Sequence, residues 1–292
     1  MSQNPAAEHD EKTRRAVPAP APASAAALTP AQIEAKAEAL AQSKAALPAA
    51  RCLVLAVFAG AFIAFGASLF GLVMADAALS FAVQRLLGGL CFCLGLQLVL
   101  CCGAELFTGN SLMVCGAASG LVGWGPVLKN WVLVWLGNFA GALAVVGLMY
   151  ASGLQNMNAG AVGDAFVSVA AGKAALGWTT VLAKGVLCNV FVCLAVWIGF
   201  GAQTMADKVL GILLPITAFV ALGFEHCVAN MFFLFMGLAC KAAGFGAAVA
   251  GAAALTPGAV CCNLALATAG NVLGGAVLVG LGYWFAYRRP AA

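Results

Sequence analysis

Charge is what this chain has least of: Asp, Glu, Lys and Arg make up 8% of its 292 residues, against about 25% in soluble domains. A soluble core of that length needs a charged shell, and most of this chain has none. The net charge of +4 is too small to argue for nucleic acid as a partner. Histidine is almost missing, with His9 and His226 alone. The twelve cysteines offer no pair at zinc-finger spacing and sit in apolar runs. Thiols there read as small polarizable filling, with a metal or redox site the less favoured reading, so neither a metal nor a cofactor is expected. The first residues are polar and lack an early apolar core, so they do not read as a signal peptide.

What charge there is lies unevenly. Eleven of the 24 charged residues precede residue 52, the pattern of an aqueous tail followed by a lipid-embedded body. Residues 1–28, Ala/Pro-rich from Ala16 to Ala27, read as a disordered tail. Residues 29–48 read as an amphipathic helix on the membrane surface. Thr29 is its N-cap, Pro30 its first residue, and Ile33, Ala37, Leu40 and Ala41 share one face. Residues 49–289 form the membrane body. Its apolar stretches fall at about 52–74, 86–117, 127–151, 178–202, 209–239 and 258–286. A straight span needs about 20 residues, so the second and fifth are too long, and each holds a polar interruption. Arg14, Arg15, Lys36, Lys44, Arg51, Lys129, Lys208, Arg288 and Arg289 gather on one side, against Arg85, Lys173 and Lys241 on the other. The excess places both termini in the cytoplasm.

Two copies of one motif stand at the interruptions. Gly103-Ala-Glu105-Leu-Phe-Thr108-Gly-Asn110 and Gly223-Phe-Glu225-His226-Cys-Val-Ala-Asn230 both read G-x-E-x-x-x-x-N. The following spans repeat as well: Asn130 with Gly137-Asn138 and Gly141, then Asn263 with Gly270-Asn271 and Gly274. Spans 1 and 4 give no convincing match. A unit of three spans starts its second copy on the opposite side of the membrane, so the halves are inverted. Broken helices at matching places in inverted halves point to a transport site at the midplane, where unwound backbone is tolerated only against protein or a water-filled cavity. The half-helices that restart after each break aim N–H groups at the centre and favour an anion. Glu105 and Glu225, the acidic residues inside the spans, read as braces that accept loop N–H bonds, with Asn110 and Asn230 beside them. A proton-carrying or cation-binding role is their alternative. His226, the histidine of the membrane body, reads as a pore residue whose titration range suits a weak acid or its anion.

Gly103–Asn110 (GAELFTGN), Lys184–Trp197 (KGVLCNVFVCLAVW), Gly223–Phe232 (GFEHCVANMF) and Gly270–Gly275 (GNVLGG) resemble the formate–nitrite transporter family over about residues 29–289. The resemblance implies an all-α membrane protein: an aquaporin-like six-transmembrane-helix bundle of two inverted three-helix repeats with broken second and fifth helices. It implies a homopentamer in a bacterial inner membrane, each protomer with its own pore for formate, nitrite or hydrosulfide, or for lactate or acetate in some members. Residue by residue, the central histidine is His226 and its loop threonine Thr108. The pore-facing asparagines are Asn189 and Asn271. One apolar constriction uses Phe92, Leu96 and Phe219, the other Leu106 and Val192, and the vestibule lysines are Lys173 and Lys44. The family often has proline in the stretch where this chain has Leu266, which leaves the bend of the sixth helix open.

Two dry rings around a polar centre reject bare ions, whereas a neutral acid passes at far lower cost. A weak-acid anion, drawn by Lys173 or Lys44, is expected to gain a proton from water or by way of His226 and cross largely neutral; unprotonated anion conduction is the alternative within the class. An aquaporin-type channel for neutral solutes is the first outside reading, but its Asn-Pro-Ala pairs are missing. A membrane enzyme with a cysteine-ligated metal is the second, and no enzyme activity is expected. The sequence favours formate because Phe92, Leu96 and Phe219 resemble the formate-channel branch.

Overall fold

The computed structural model describes residues 26–288. Most of the expected tail lies outside those residues, as do Arg14, Arg15 and Arg289 of the charge bias. Helix α1 (Pro30–Ala45) starts from a reciprocal cap: the Thr29 hydroxyl accepts the Gln32 N–H, and the Gln32 side chain accepts the Thr29 N–H. The helix does more than float on a membrane surface. Its inner face buries Ala37, Ala41 and the carboxyl-bearing Glu34 against α5 (Val114–Ala118) and α8 (Trp178–Gly201).

Among the described residues, five apolar helices are long enough to cross a membrane: α2 (Ala49–Met74), α3 (Phe81–Cys102), α6 (Trp124–Ala151), α8 and the final segment Pro257–Tyr287. The remaining segment is split into α9 (Met205–Ala221) and α10 (Cys227–Ala242). No strand occurs among the described residues. The second segment breaks as expected. α3 ends at Gly103, whose φ of +79° suits glycine. The chain then runs unwound to Leu106 and resumes as α4 (Phe107–Asn110), a 3-10 turn and α5. In the fifth, α9 gives way at Gly223, φ +71°, and α10 restarts at Cys227. The unwound pieces are shorter than the motifs, because helix restarts within each.

The repeat is larger than three spans. Helix α7 (Ala161–Ala174), between α6 and α8, is the counterpart of α1. Lys44 and Lys173 stand in their last turns, and a three-residue link joins each to the next long helix. Spans 1 and 4, which share little sequence, are equivalent in their backbone contacts. A Cβ on Gly141 would lie 2.0 Å from the Val57 carbonyl oxygen, and one on Gly274 would lie 2.1 Å from that of Val186. These glycines let α6 close on α2, and the last segment on α8, at backbone distance. Helix α11 (Pro257–Val272) runs straight through Leu266, and a π-helical stretch, Leu273–Leu281, follows before α12 (Gly282–Tyr287). The distortion of this last span therefore lies beyond Asn271, not before it. Wider turns misalign the backbone ladder, and the Gly280 carbonyl meets the Cys115 thiol at 3.4 Å.

Candidate functional site

Each break is held by one asparagine on the following span. Asn271 Oδ1 accepts the Cys227 N–H at 2.8 Å, while its amide donates to the carbonyls of Gly185 and Glu225 at 2.8 and 2.9 Å. The Cys227 N–H and the Glu225 carbonyl are orphan groups of an interrupted helix, costly to leave unmade in a dry site, whereas the Gly185 carbonyl belongs to the interior of α8. The carboxylates act one layer out. Glu225 accepts from Asn230 at 2.6 Å, Asn263 at 3.1 Å and Lys173 at 3.0 Å. Glu105 accepts from Asn110 at 2.7 Å and Lys44 at 2.6 Å. Both glutamates brace the breaks through side chains; among the described residues their acceptors take no loop N–H group. Lys173 packs its ammonium 5.7 Å from the Phe233 ring centroid.

The breaks meet at His226 and Thr108, both buried. His226 caps α10: its Nδ1 accepts the Ala229 N–H at 3.0 Å. With Nδ1 occupied as an acceptor, the neutral ring carries its proton on Nε2. Nε2 lies 3.0 Å from the Thr108 hydroxyl, so it donates and leaves the hydroxyl proton free to turn elsewhere. Phe219 stacks on the His226 ring at 5.8 Å between centroids, and Phe92 meets Phe219 edge-on at 5.8 Å. Asn189 is fully buried, and its amide points to the carbonyls of Thr108 and Asn271, at 3.2 and 2.6 Å, and to the Ser111 hydroxyl. The amide hydrogens of Asn189 and Asn271 are thus engaged within the protein.

A vestibule of about 410 Å³ opens onto this waist. Lys173, Phe92, Phe219, Glu225 and His226 line it together. Leu96, Leu106 and Val192 are buried and do not line it. Lys44 lines a separate cleft of about 310 Å³ with Lys129 and Asn130. Two vestibule features escape a reading of the sequence. Arg85, counted in the sequence only as a charge on the side opposite the positive excess, reaches from α3 to the carbonyls of Val220 and Ala221 at 2.7 and 2.9 Å and so caps α9 at the second break. Lys184 lines the vestibule from α8. Asn138 is the first break's counterpart of Asn271, a role the repeated asparagines already contain. Among the described residues no three His, Cys, Asp or Glu side chains converge as a metal site requires.

The formate/nitrite transporter family model matches residues 31–285. The formate channel FocA of Escherichia coli K12 is 37% identical over 89% of this chain and 94% of its own length. A probable formate transporter of Methanothermobacter thermautotrophicus is 34% identical over 89% of this chain and 97% of its own length. A solved pentameric formate channel with formate bound superposes with a TM-score of 0.76 at 34% identity, covering 82% of this chain and 98% of that one. Matched along nearly all its membrane body in sequence, and in fold with both helix breaks in place, the chain belongs to the formate/nitrite transporter family.

Proposed function

We propose that the chain is a membrane channel for small monovalent weak-acid anions, with formate as its substrate. The observation that carries this reading is the waist: a neutral His226–Thr108 pair, at 3.0 Å, set beside the phenyl rings of Phe92 and Phe219 at the floor of a vestibule. The Thr108 hydroxyl, already accepting from His226, offers its own proton to a carboxyl oxygen. The rings exclude hydration water and raise the cost of a bare charge, so formate crosses as the acid. Its proton comes from water at the mouth, because His226 Nδ1 already accepts from Ala229 and the one ring proton, on Nε2, is already donated to Thr108. The relatives named for formate support formate over nitrite and hydrosulfide.

The functional unit is a homopentamer in the inner membrane of a bacterium, with both termini cytoplasmic and one pore per protomer. Support comes from the pentameric relative and from Lys and Arg crowding one side. Uptake of labelled formate into proteoliposomes, beside nitrite, hydrosulfide and glycerol, tests the substrate. Formate uptake saturating at the lowest concentration is expected; glycerol flux without formate flux overturns the reading. Native mass spectrometry tests the pentamer.

A further inference from the structure

An anion entering the vestibule needs a cation that is not already committed, and the candidates differ. The charged residues lining the cleft are Arg85, Lys173, Lys184 and Glu225. Lys173 and Glu225 form an ion pair at 3.0 Å, so at a distance the two nearly cancel. Arg85 spends two donors on the carbonyls of Val220 and Ala221, each the negative end of a helix. Lys184 is half-buried in the wall, and among the described residues it has neither a carboxylate nor a carbonyl to hold its ammonium. Its backbone is nonetheless fixed, since its carbonyl accepts the Glu225 N–H at 3.3 Å beside the break. The fixed stem and uncommitted head give a positioned, unneutralised charge beside the waist.

We propose that Lys184 is the recruiting cation of the vestibule, a specificity residue that concentrates small monoanions there, while Lys173 holds Glu225 in place. The inference rests on the channel reading above. A charge in a water-filled cleft with low-dielectric walls focuses its field on the mouth, and because salt enters that water, the effect of removing the charge is strongly salt-dependent. A buried pair such as Lys173–Glu225 responds little to salt.

The test is the initial rate of formate uptake into proteoliposomes at subsaturating substrate, for wild type, Lys184→Gln, Lys184→Arg and Lys173→Gln, at about 10 mM and 500 mM ionic strength. The Debye length falls from about 30 Å to about 4 Å between these conditions. Lys184→Gln is expected to slow uptake about threefold or more at low salt by raising KM, the order of magnitude for one charge acting through partly aqueous surroundings. The deficit should vanish at high salt, and Lys184→Arg should restore the rate. Lys173→Gln should lose rate equally at both salts. A Lys184→Gln rate equal to wild type at low salt, or a loss that salt does not relieve in a correctly assembled protein, overturns the assignment. Wild-type vesicles that pass none of formate, nitrite and hydrosulfide overturn the channel reading instead, and the assignment with it.

Discussion

Asn138 and Asn271 make the same three hydrogen bonds in opposite halves of the protein. Asn138 Oδ1 accepts the Phe107 N–H at 2.9 Å, and its amide donates to the carbonyls of Ala56 and Glu105 at 2.7 and 2.9 Å. Asn271 repeats this at Cys227, Gly185 and Glu225. Each side chain ties the end of an unwound segment to the long helix before it and to the restarting helix after it, so two openings in the backbone ladder become rigid.

Replacing either asparagine with alanine orphans a buried N–H and a buried loop carbonyl, while the third partner, Ala56 or Gly185, keeps its bond within a continuous helix. Each unmet group costs about 1–3 kcal/mol, so both Asn138→Ala and Asn271→Ala should lose several kcal/mol or fail to assemble. Thermal unfolding in detergent, followed by loss of the monodisperse oligomer, measures it. Because the bonding is equivalent, the two variants should lose comparable stability. A harmless Asn138→Ala beside a ruinous Asn271→Ala would show that only the second break needs its tether.

The Lys173–Glu225 pair predicts a non-additive double mutant. Glu225 is almost fully buried and Lys173 mostly so. Removing one partner of such a pair leaves a buried charge and costs about 3–5 kcal/mol. Lys173→Met alone should therefore destabilise strongly, and Lys173→Met with Glu225→Gln should recover most of the loss. The readout is a double-mutant cycle on unfolding midpoints at low and high salt. Additive losses, or a coupling that salt abolishes, would mean that the pair is an ordinary solvated contact.

Much of this is legible in the sequence. The G-x-E-x-x-x-x-N motif located both breaks, and the asparagines eight apart supplied what holds them: Asn110 donates to Asn130 and Asn230 to Asn263, each at 2.8 Å. Motif polarity is readable because lipid makes every polar side chain in a span answer for itself. The relation between spans 1 and 4 was hidden because it runs through carbonyls, those of Ala56 and Gly185, which any residue supplies. One signal was available there: Lys-Ala-Ala-Leu occurs at residues 44–47 and again at 173–176, and it identifies α7 as the twin of α1. The pairing of these lysines with Glu105 and Glu225 was not readable, since the partners lie 61 and 52 residues apart in sequence. Nor was the restart of helix inside each motif, which depends on where the tethering asparagine arrives.

His226→Asn separates the two jobs of the ring. Asparagine is a good N-cap, so Oδ1 can keep the Ala229 N–H and the fold should persist. The amide does not titrate. If protons come from water, formate flux should rise as pH falls from about 8 to 5 with the same slope in wild type and variant, around the reference His pKa near 6.5. The absolute rate should drop, because Thr108 loses the donor that orients its hydroxyl. A flat pH profile in His226→Asn would return the proton transfer to the imidazole.

Glu34 predicts how α1 responds to pH. It is buried, with no hydrogen-bond partner for its Oε1 among the described residues, one turn from Glu38 on the same helix. Glu38 accepts a short hydrogen bond from the Ser119 hydroxyl, whose oxygen accepts from Trp284 Nε1 at 2.8 Å. Glu34 is therefore the poorly satisfied member of the pair. Burial, then the Glu38 charge and hydrogen bond, push its pKa up to about 7, with Arg288 opposing. The ordinary value is 4.5, so the folded state binds the proton more tightly than the unfolded one. The docking of α1 that Glu34 supports is then fully present below about pH 4.5 and is lost as pH rises through about 7. Hydrogen exchange of the α1 amides, corrected for intrinsic rates, should show less protection at pH 8 than at pH 6. Glu34→Gln keeps the shape and removes the titration, so its protection should stay level across that interval. Unchanged wild-type protection between pH 6 and 8 would mean that the Glu34 carboxylate is accommodated where it sits. An equal fall in Glu34→Gln would place the titrating group elsewhere on the face that α1 covers.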